Sequence, residues 1–144
     1  MLKTYDFKLV QLVIGGVTIT GYGEDGGVSI EPNADVAEAT IGADGETTIS
    51  RTNDRSMVAT ITVRETSRGY ALLSGLLQLQ NAEPAILPQP FLLLDPISGE
   101  RVSDEYSAFL GRPTVAKERG ASDREFRLHL PSPSVLGAPN YVAG

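Results

Sequence analysis

Few residues in this chain have the types and spacing that could support chemistry. Residues 21–26 (GYGEDG) match the G-x-G-x-x-G pattern that binds the pyrophosphate of a dinucleotide. That chemistry requires a helix N-terminus directly after the glycines, whereas the pattern that follows predicts a short strand. The carboxylates of Glu24 and Asp25 would also repel phosphate. The segment is therefore interpreted as a glycine-rich turn.

Candidate catalytic and metal-binding groups are equally scarce. The chain has no cysteine, and its one histidine, His129, falls on the polar face of a predicted strand. The neighbouring carboxylates Glu24-Asp25 and Asp104-Glu105 would point to opposite faces of a strand, so they cannot converge on a substrate. A calcium site in the Glu24 loop would need more oxygen donors than this segment supplies. We therefore predict no enzyme activity, no catalytic residue, no metal site and no cofactor.

Acidic and basic residues are segregated along the chain. Residues 9–50 contain seven acids and no lysine or arginine, and four arginines then follow close together. The acids are Glu24, Asp25, Glu31, Asp35, Glu38, Asp44 and Glu46, and the arginines are Arg51, Arg55, Arg64 and Arg68. An acidic sector beside a basic sector favours a subunit that stacks on copies of itself. The net charge of −6 argues against binding of free nucleic acid.

The elements that must position these residues are mostly strands. The patterns predict a mainly β fold with one helix, in which two packed antiparallel sheets form a sandwich or a partly closed barrel. Alternation over residues 57–65 predicts a strand with one face in the core. Leucine spacing predicts a helix over residues 68–81, with Ser67 as its N-cap and Gly75 allowing close packing on a strand.

Residues 36–56 are predicted to form an extended hairpin. Its arms, residues 36–41 and 46–51, flank the turn Gly42-Ala43-Asp44-Gly45. Both arms are poor in large apolar side chains, so the hairpin can bury little against its own domain. We expect it to project from the domain and to be ordered by a neighbouring molecule.

Composition and chain ends complete the outline. We divide the chain into one β domain, residues 1–130, and a Pro/Gly-rich C-terminal arm, residues 131–144, that is either frayed or laid along an adjacent subunit. No apolar run approaches the roughly 20 residues that span a bilayer, and the N-terminus lacks the apolar segment of a signal peptide. We expect a soluble protein that is not secreted and has no membrane partner.

Four short segments occur in order before a Thr-rich strand and the predicted helix. They are Gly21-Tyr22-Gly23-Glu24, Val28-Ser29-Ile30-Glu31-Pro32-Asn33, Gly42-Ala43-Asp44-Gly45-Glu46 and Asn53-Asp54. In this order they resemble the tail tube proteins of contractile-tailed bacteriophages. The resemblance extends through the helix and the strands after it, so it covers about residues 5–130.

The resemblance implies a tube subunit of the virion tail, similar in fold to the hemolysin-coregulated protein of type VI secretion. Six subunits would form a ring, each adding strands to a continuous inner β-barrel, and stacked rings would form a hollow tube. DNA would pass through the lumen without specific binding. The implied partners are the tail sheath, baseplate, tail-terminator and tape-measure proteins, with assembly in the host cytoplasm.

On this interpretation the candidate site residues fall into two groups. The hairpin and the loop after it are expected to connect successive rings, and an acidic lumen is expected to let a polyanion slide without adsorbing. The predicted ring-stacking residues are Asp44, Gly45, Glu46, Arg51, Asn53, Asp54 and Arg55, and the lumen-facing candidates are Glu24, Asp25 and Glu31.

Two alternatives remain at this point. A tail terminator or a baseplate tube initiator would share the subunit fold but stop at one ring. A monomeric β-barrel module that binds a small ligand or glycan belongs to a different class. The absence of tryptophan and the aromatic fraction of 6% argue against that module, because few side chains could line its pocket.

Overall fold

The computed structural model describes residues 10–19, 27–34, 37–51, 54–82, 88–117, 119–120 and 122–137. Within these ranges the chain is mainly β with one helix, as the sequence patterns predicted. The strands are β1 (Gln11–Ile14), β2 (Val17–Thr18), β3 (Gly27–Pro32), β4 (Ala37–Ile41), β5 (Thr47–Arg51), β6 (Met57–Arg64), β7 (Gln89–Leu94), β8 (Arg101–Phe109), β9 (Asp123–Leu130) and β10 (Ser134–Leu136), and the helix is α1 (Arg68–Ala82).

The strands form two antiparallel sheets of very different size. Eight strands follow the order β2-β1-β7-β8-β9-β6-β3, with β10 also paired to β8, and β4 and β5 form a separate two-stranded sheet. The predicted two antiparallel sheets are therefore confirmed. The large sheet itself has two halves. They are joined because β8 pairs with β7 and β10 along its first half and with β9 at its end. Among the described strands this sheet does not close into a barrel, since β2 and β3 are its ends.

The core lies between these two halves and the helix. Alternating side chains of β6 and β9 are buried, including Ile61 and Phe126, while Leu12 and Phe91 are buried from the other half. The Phe126 ring lies 6.0 Å, centroid to centroid, from the rings of Tyr70 and Phe109. Because the alternation of β6 is strict, its opposite face is free to carry polar side chains.

Helix α1 begins where the sequence predicted. The Ser67 hydroxyl accepts a hydrogen bond from the Tyr70 amide at 3.2 Å, which satisfies one of the unpaired donors at the helix start. Leu73, Leu76 and Leu77 face the core. The prediction for Gly75 was wrong: it is exposed, and a Cβ there would meet no atom within 4 Å, so no strand packs against it.

One polar side chain fastens the helix to the sheet. Gln80 is 1% exposed, its Nε2 donates to the Phe109 carbonyl at 3.1 Å, and its Oε1 accepts from the Phe109 amide at 2.7 Å. The side-chain amide therefore takes the place of a neighbouring strand at the end of β8. The helical pattern of leucines gave no indication of this contact.

The start of the C-terminal arm is part of the sheet. Ser134–Leu136 pair with residues 101–103 of β8, and β9 pairs with Ala108 and Phe109 at the other end of β8. The two pairings have the same register. In the interruption between β9 and β10, the Ser132 amide donates to Asp104 Oδ2 at 2.9 Å. The arm was expected to be either frayed or laid along an adjacent subunit, and neither expectation holds for residues 134–136. Residues 138–144 lie outside the described ranges. The hydrophobic pattern could not predict this pairing, because all three residues are exposed and their contact with β8 is made by the main chain.

Candidate functional site

The hairpin formed by β4 and β5 stands apart from the rest of the chain. Every residue of both five-residue strands is exposed, and neither strand pairs with the large sheet. The register runs from Ala37 opposite Arg51 to Ile41 opposite Thr47. A two-stranded ribbon of this kind is only marginally stable alone. This arrangement agrees with the expectation that the hairpin projects.

The two faces of the hairpin differ in polarity. Because side chains alternate along each strand, Ala39, Ile41 and Ile49 share one face with Arg51, while Glu38 lies on the opposite face among threonine and serine residues. Ile41 and Ile49 are each 73% exposed. The two isoleucines therefore form an exposed apolar patch on this face.

The tip of the hairpin is a closed turn with acidic side chains. The Gly45 amide donates to the Gly42 carbonyl at 3.0 Å, and the Gly42 amide donates to the Glu46 carbonyl at 2.8 Å. Asp44 Oδ1 accepts from the Glu46 amide at 3.1 Å. Gly45 has φ +87°, a conformation that favours glycine. The tip therefore presents two carboxylates, those of Asp44 and Glu46, in a defined turn.

The root of the hairpin is held by hydrogen bonds. Asp54 Oδ1 accepts from the Ser56 hydroxyl at 2.6 Å and from the Ser56 amide at 2.9 Å. These two bonds, the hydroxyl bond first, hold the pKa of Asp54 below its ordinary value of 3.8, and the charge of His129 acts in the same direction. Asn33 Nδ2 donates to Ser56 Oγ at 2.8 Å, and the Asn33 amide donates to the Ser56 carbonyl at 3.0 Å. The chain is thus clamped where β3 ends and β6 begins.

The structure divides the predicted ring-stacking residues into two groups. Asp44, Gly45 and Glu46 lie at the tip, whereas Arg51, Asp54 and Arg55 lie together at the root, where they line one groove. Asn53 lies outside the described residues. The role of these residues in stacking stays a prediction.

Of the predicted lumen-facing acids, Glu31 is exposed on β3, and Glu24 and Asp25 lie outside the described residues. Glu31 shares the outer face of its half of the large sheet with charged side chains from β6 and β9, as the register of these strands shows. The residues on this face are Arg64, Asp123, Glu125, Arg127 and His129. The face carries both signs of charge, and the lumen-facing role of Glu31 stays a prediction.

Asp123 and Glu125 were missed by sequence reasoning, although a signal was present. Both alternate with the inward residues of β9, a period of two that is visible in the sequence. Only the pairing of β9 with β6 and of β6 with β3 places these acids on the same sheet face as Glu31.

A buried ion pair between Arg124 and Glu65 lies beside this face. Arg124 is 2% exposed, and its Nη2 donates to Glu65 Oε2 at 2.6 Å. Its Nη1 donates to three further oxygens, those of the Thr114 and Ala116 carbonyls and the Ser122 hydroxyl. Lys117 also contacts Glu65 Oε2, at 3.4 Å, but its side chain is 77% exposed. Burial raises the pKa of Glu65, but the bonds and charges of its partners outweigh burial and hold that pKa below 4.5.

In the described part of the chain, no group of three or more histidine, cysteine or acidic side chains could hold a metal ion. Among the described helical residues, no helix is long and apolar enough to cross a membrane. The features that stand out are an exposed hairpin with a groove at its root and a charged sheet face.

Comparison with known proteins decides the family. The family model described as bacteriophage PhiTE tail tube protein matches residues 2–124. The chain belongs to this tail tube family. The function that the resemblance implied, a structural protein of the virion tail tube, is therefore confirmed. No curated protein is similar to the chain in sequence.

Solved structures similar to this tail tube protein share its fold. The tail of an empty gene transfer agent particle, refined with C6 symmetry, matches with a TM-score of 0.62 at 13% identity over 93% of this chain and 100% of that chain. The sheath–tube complex of the PVC extracellular contractile injection system matches with a TM-score of 0.59 at 10% identity, over 93% and 92%. The tube-terminating cap of the anti-feeding prophage matches with a TM-score of 0.57 at 6% identity, over 96% and 94%.

Proposed function

We propose that this tail tube protein forms sixfold rings that stack into a hollow tube, with the hairpin as the connector between rings. The observation that supports the hairpin's role is its complete exposure together with its apolar face, because an isolated ribbon of this kind needs a partner. Sixfold symmetry is proposed from the resemblance and from the C6 symmetry of the gene transfer agent tail. The contacts proposed for stacking are those of Asp44, Gly45, Glu46, Arg51, Asn53, Asp54 and Arg55.

The ends of the large sheet support lateral association within a ring. The outer edges of β2 and β3 have no strand partner among the described residues. Unpaired edges promote uncontrolled association, and ring closure removes them. We propose that β3, β6, β9 and β8 supply the strands of the inner barrel.

The charged outer face of β3, β6 and β9 would then line the lumen, with Glu31, Glu24 and Asp25 as the proposed acidic residues. Asp123 and Glu125 add acids, while Arg64 and Arg127 add cations. DNA would move past this surface during ejection without specific binding, since the acids on it repel phosphate.

The proposed partners are further copies of the chain, the tail sheath, the baseplate, the tail terminator and the tape-measure protein, with assembly in the host cytoplasm. A sheath is proposed from the resemblance and from the sheath–tube complex of the contractile injection system. We also propose residues 1–130 as the tube domain and residues 131–144 as an arm. A one-ring terminator or initiator shares the fold, so indefinite stacking is the property that distinguishes a tube subunit.

Negative-stain electron microscopy of the purified protein at high concentration, with and without baseplate extract as a seed, tests the proposal. The expected result is hollow tubes built from sixfold rings. Single rings that never stack under either condition would assign the chain to the tail ends. A persistent 15.3 kDa monomer in both conditions, measured by sedimentation, would refute the proposed assembly.

A further inference from the structure

A groove of about 400 Å³ lies at the root of the hairpin. Its apolar lining comes from three separate parts of the chain: Pro32 at the end of β3, Met57 at the start of β6, and Pro133 and Val135 around β10. Arg51, Asp54 and Arg55 also line it. The start of the C-terminal arm therefore forms one wall of a groove whose charged residues belong to the hairpin root.

The tip of the hairpin, at the end opposite the groove, carries a surface that complements this groove. Ile41 is 73% exposed next to the acidic turn that holds Asp44 and Glu46. The tip bears two negative charges, while the groove bears two arginines and one carboxylate. The groove therefore has an excess of one positive charge, and among the described residues neither Arg51 nor Arg55 forms an ion pair.

A hairpin tip cannot reach the groove of its own chain. The four residue steps from Ile41 to Ala37 are paired with β5 and extend for about 13 Å. The paired strands hold tip and root at opposite ends of the ribbon. The complementary surfaces can meet only when the tip of one copy approaches the root of another.

We propose that the hairpin tip of one copy inserts into the root groove of a second copy. Asp44 and Glu46 face Arg51 and Arg55 of that copy, and Ile41 packs against Met57 and Val135. This inference rests on the proposed tube function and specifies its axial contact. Tip and root are different surfaces, so each added copy presents a new tip and a new groove, and the contact propagates without limit. The C-terminal segment acts as part of the acceptor.

A charge-exchange experiment on the full chain tests the pairing. The variant Arg51→Glu/Arg55→Glu has an acidic tip and an acidic groove, and the variant Asp44→Lys/Glu46→Lys has a basic tip and a basic groove. We expect neither to form tubes alone, while an equimolar mixture forms tubes because every tip then meets a groove of opposite charge. Circular dichroism checks that each variant is folded, and electron microscopy scores the tubes.

The outcomes separate this inference from the proposed function. If the unmodified chain forms tubes and the two variants also do so separately, or fail to do so when mixed, the tip-to-groove pairing is overturned while the tube function stands. If the unmodified chain never assembles, even when seeded, the proposed function fails as well.

A second substitution pair tests the groove wall. Val135→Glu places a charge in the apolar lining, and we expect it to raise the protein concentration needed for tube growth by about tenfold or more. Val115→Glu is the matched control, because Val115 is 69% exposed, against 57% for Val135, and does not line the groove. Equal effects of the two substitutions would overturn the assignment of β10 to the acceptor.

Discussion

Replacing Gln80 with methionine tests how the helix is held on the sheet. Methionine has a similar volume and is apolar, so Gln80→Met leaves no large cavity but removes both hydrogen bonds to Phe109. Gln80 is 1% exposed, which leaves little room for water to replace its amide. The Phe109 amide and carbonyl would both be left without a partner.

The expected cost follows from those two groups. A buried backbone group left without a hydrogen bond costs about 1–3 kcal/mol, so the free energy of unfolding should fall by about 2–6 kcal/mol. For a chain of this length that loss lowers the Tm by roughly 4–24 °C. It is a large part of a typical total stability of about 5–15 kcal/mol.

Urea unfolding of the monomer, followed by circular dichroism, measures this difference. Gln78→Met is the matched control: the residue is exposed on the same helix, and the substitution should change the unfolding free energy by no more than about 0.5 kcal/mol. A loss below about 1 kcal/mol for Gln80→Met would show that the two bonds do not hold the helix to β8.

Three further predictions concern the hairpin and the buried ion pair. The double substitution Ile41→Thr/Ile49→Thr should leave the Tm of the monomer nearly unchanged, since both side chains are 73% exposed. In sedimentation assays it should raise the protein concentration needed for tube growth about tenfold or more. Unchanged tube growth would contradict the burial of this apolar face between copies. Ser56→Ala should raise the pKa of Asp54 towards 3.8 in an NMR titration, because the Ser56 hydroxyl bond is the main cause of the lowered value. In the unmodified chain, this contribution to stability is present above pH 3.8 and is lost as the pH falls through the lower folded-state pKa; an unmoved Asp54 titration in the variant would contradict the assignment. Arg124→Met should lower the Tm clearly more than Lys117→Met, because Arg124 is 2% exposed and the Lys117 side chain is 77% exposed; equal losses would show that the burial of Arg124 is unimportant.

Local patterns in the sequence determined much of the fold. The alternation of β6, the N-cap at Ser67 and the Asp-Gly turn of the hairpin each depend on residues a few positions apart. Such patterns express the geometry of a single strand, helix or turn, so they survive without knowledge of the rest of the chain. The scarcity of large apolar residues in β4 and β5 likewise predicted their exposure. The order of the short motifs led to the tail tube family.

Contacts between distant segments were decided only by the tertiary structure. No local pattern shows that β8 joins both halves of the sheet, that Gln80 bonds Phe109, or that Val135 lies near Arg51. Each of these contacts depends on strand order and register, which are set by the packing of the whole core. The segregated charges along the sequence therefore indicated stacking, whereas the groove that could accept the hairpin tip emerged only when β3, β6 and β10 were brought together.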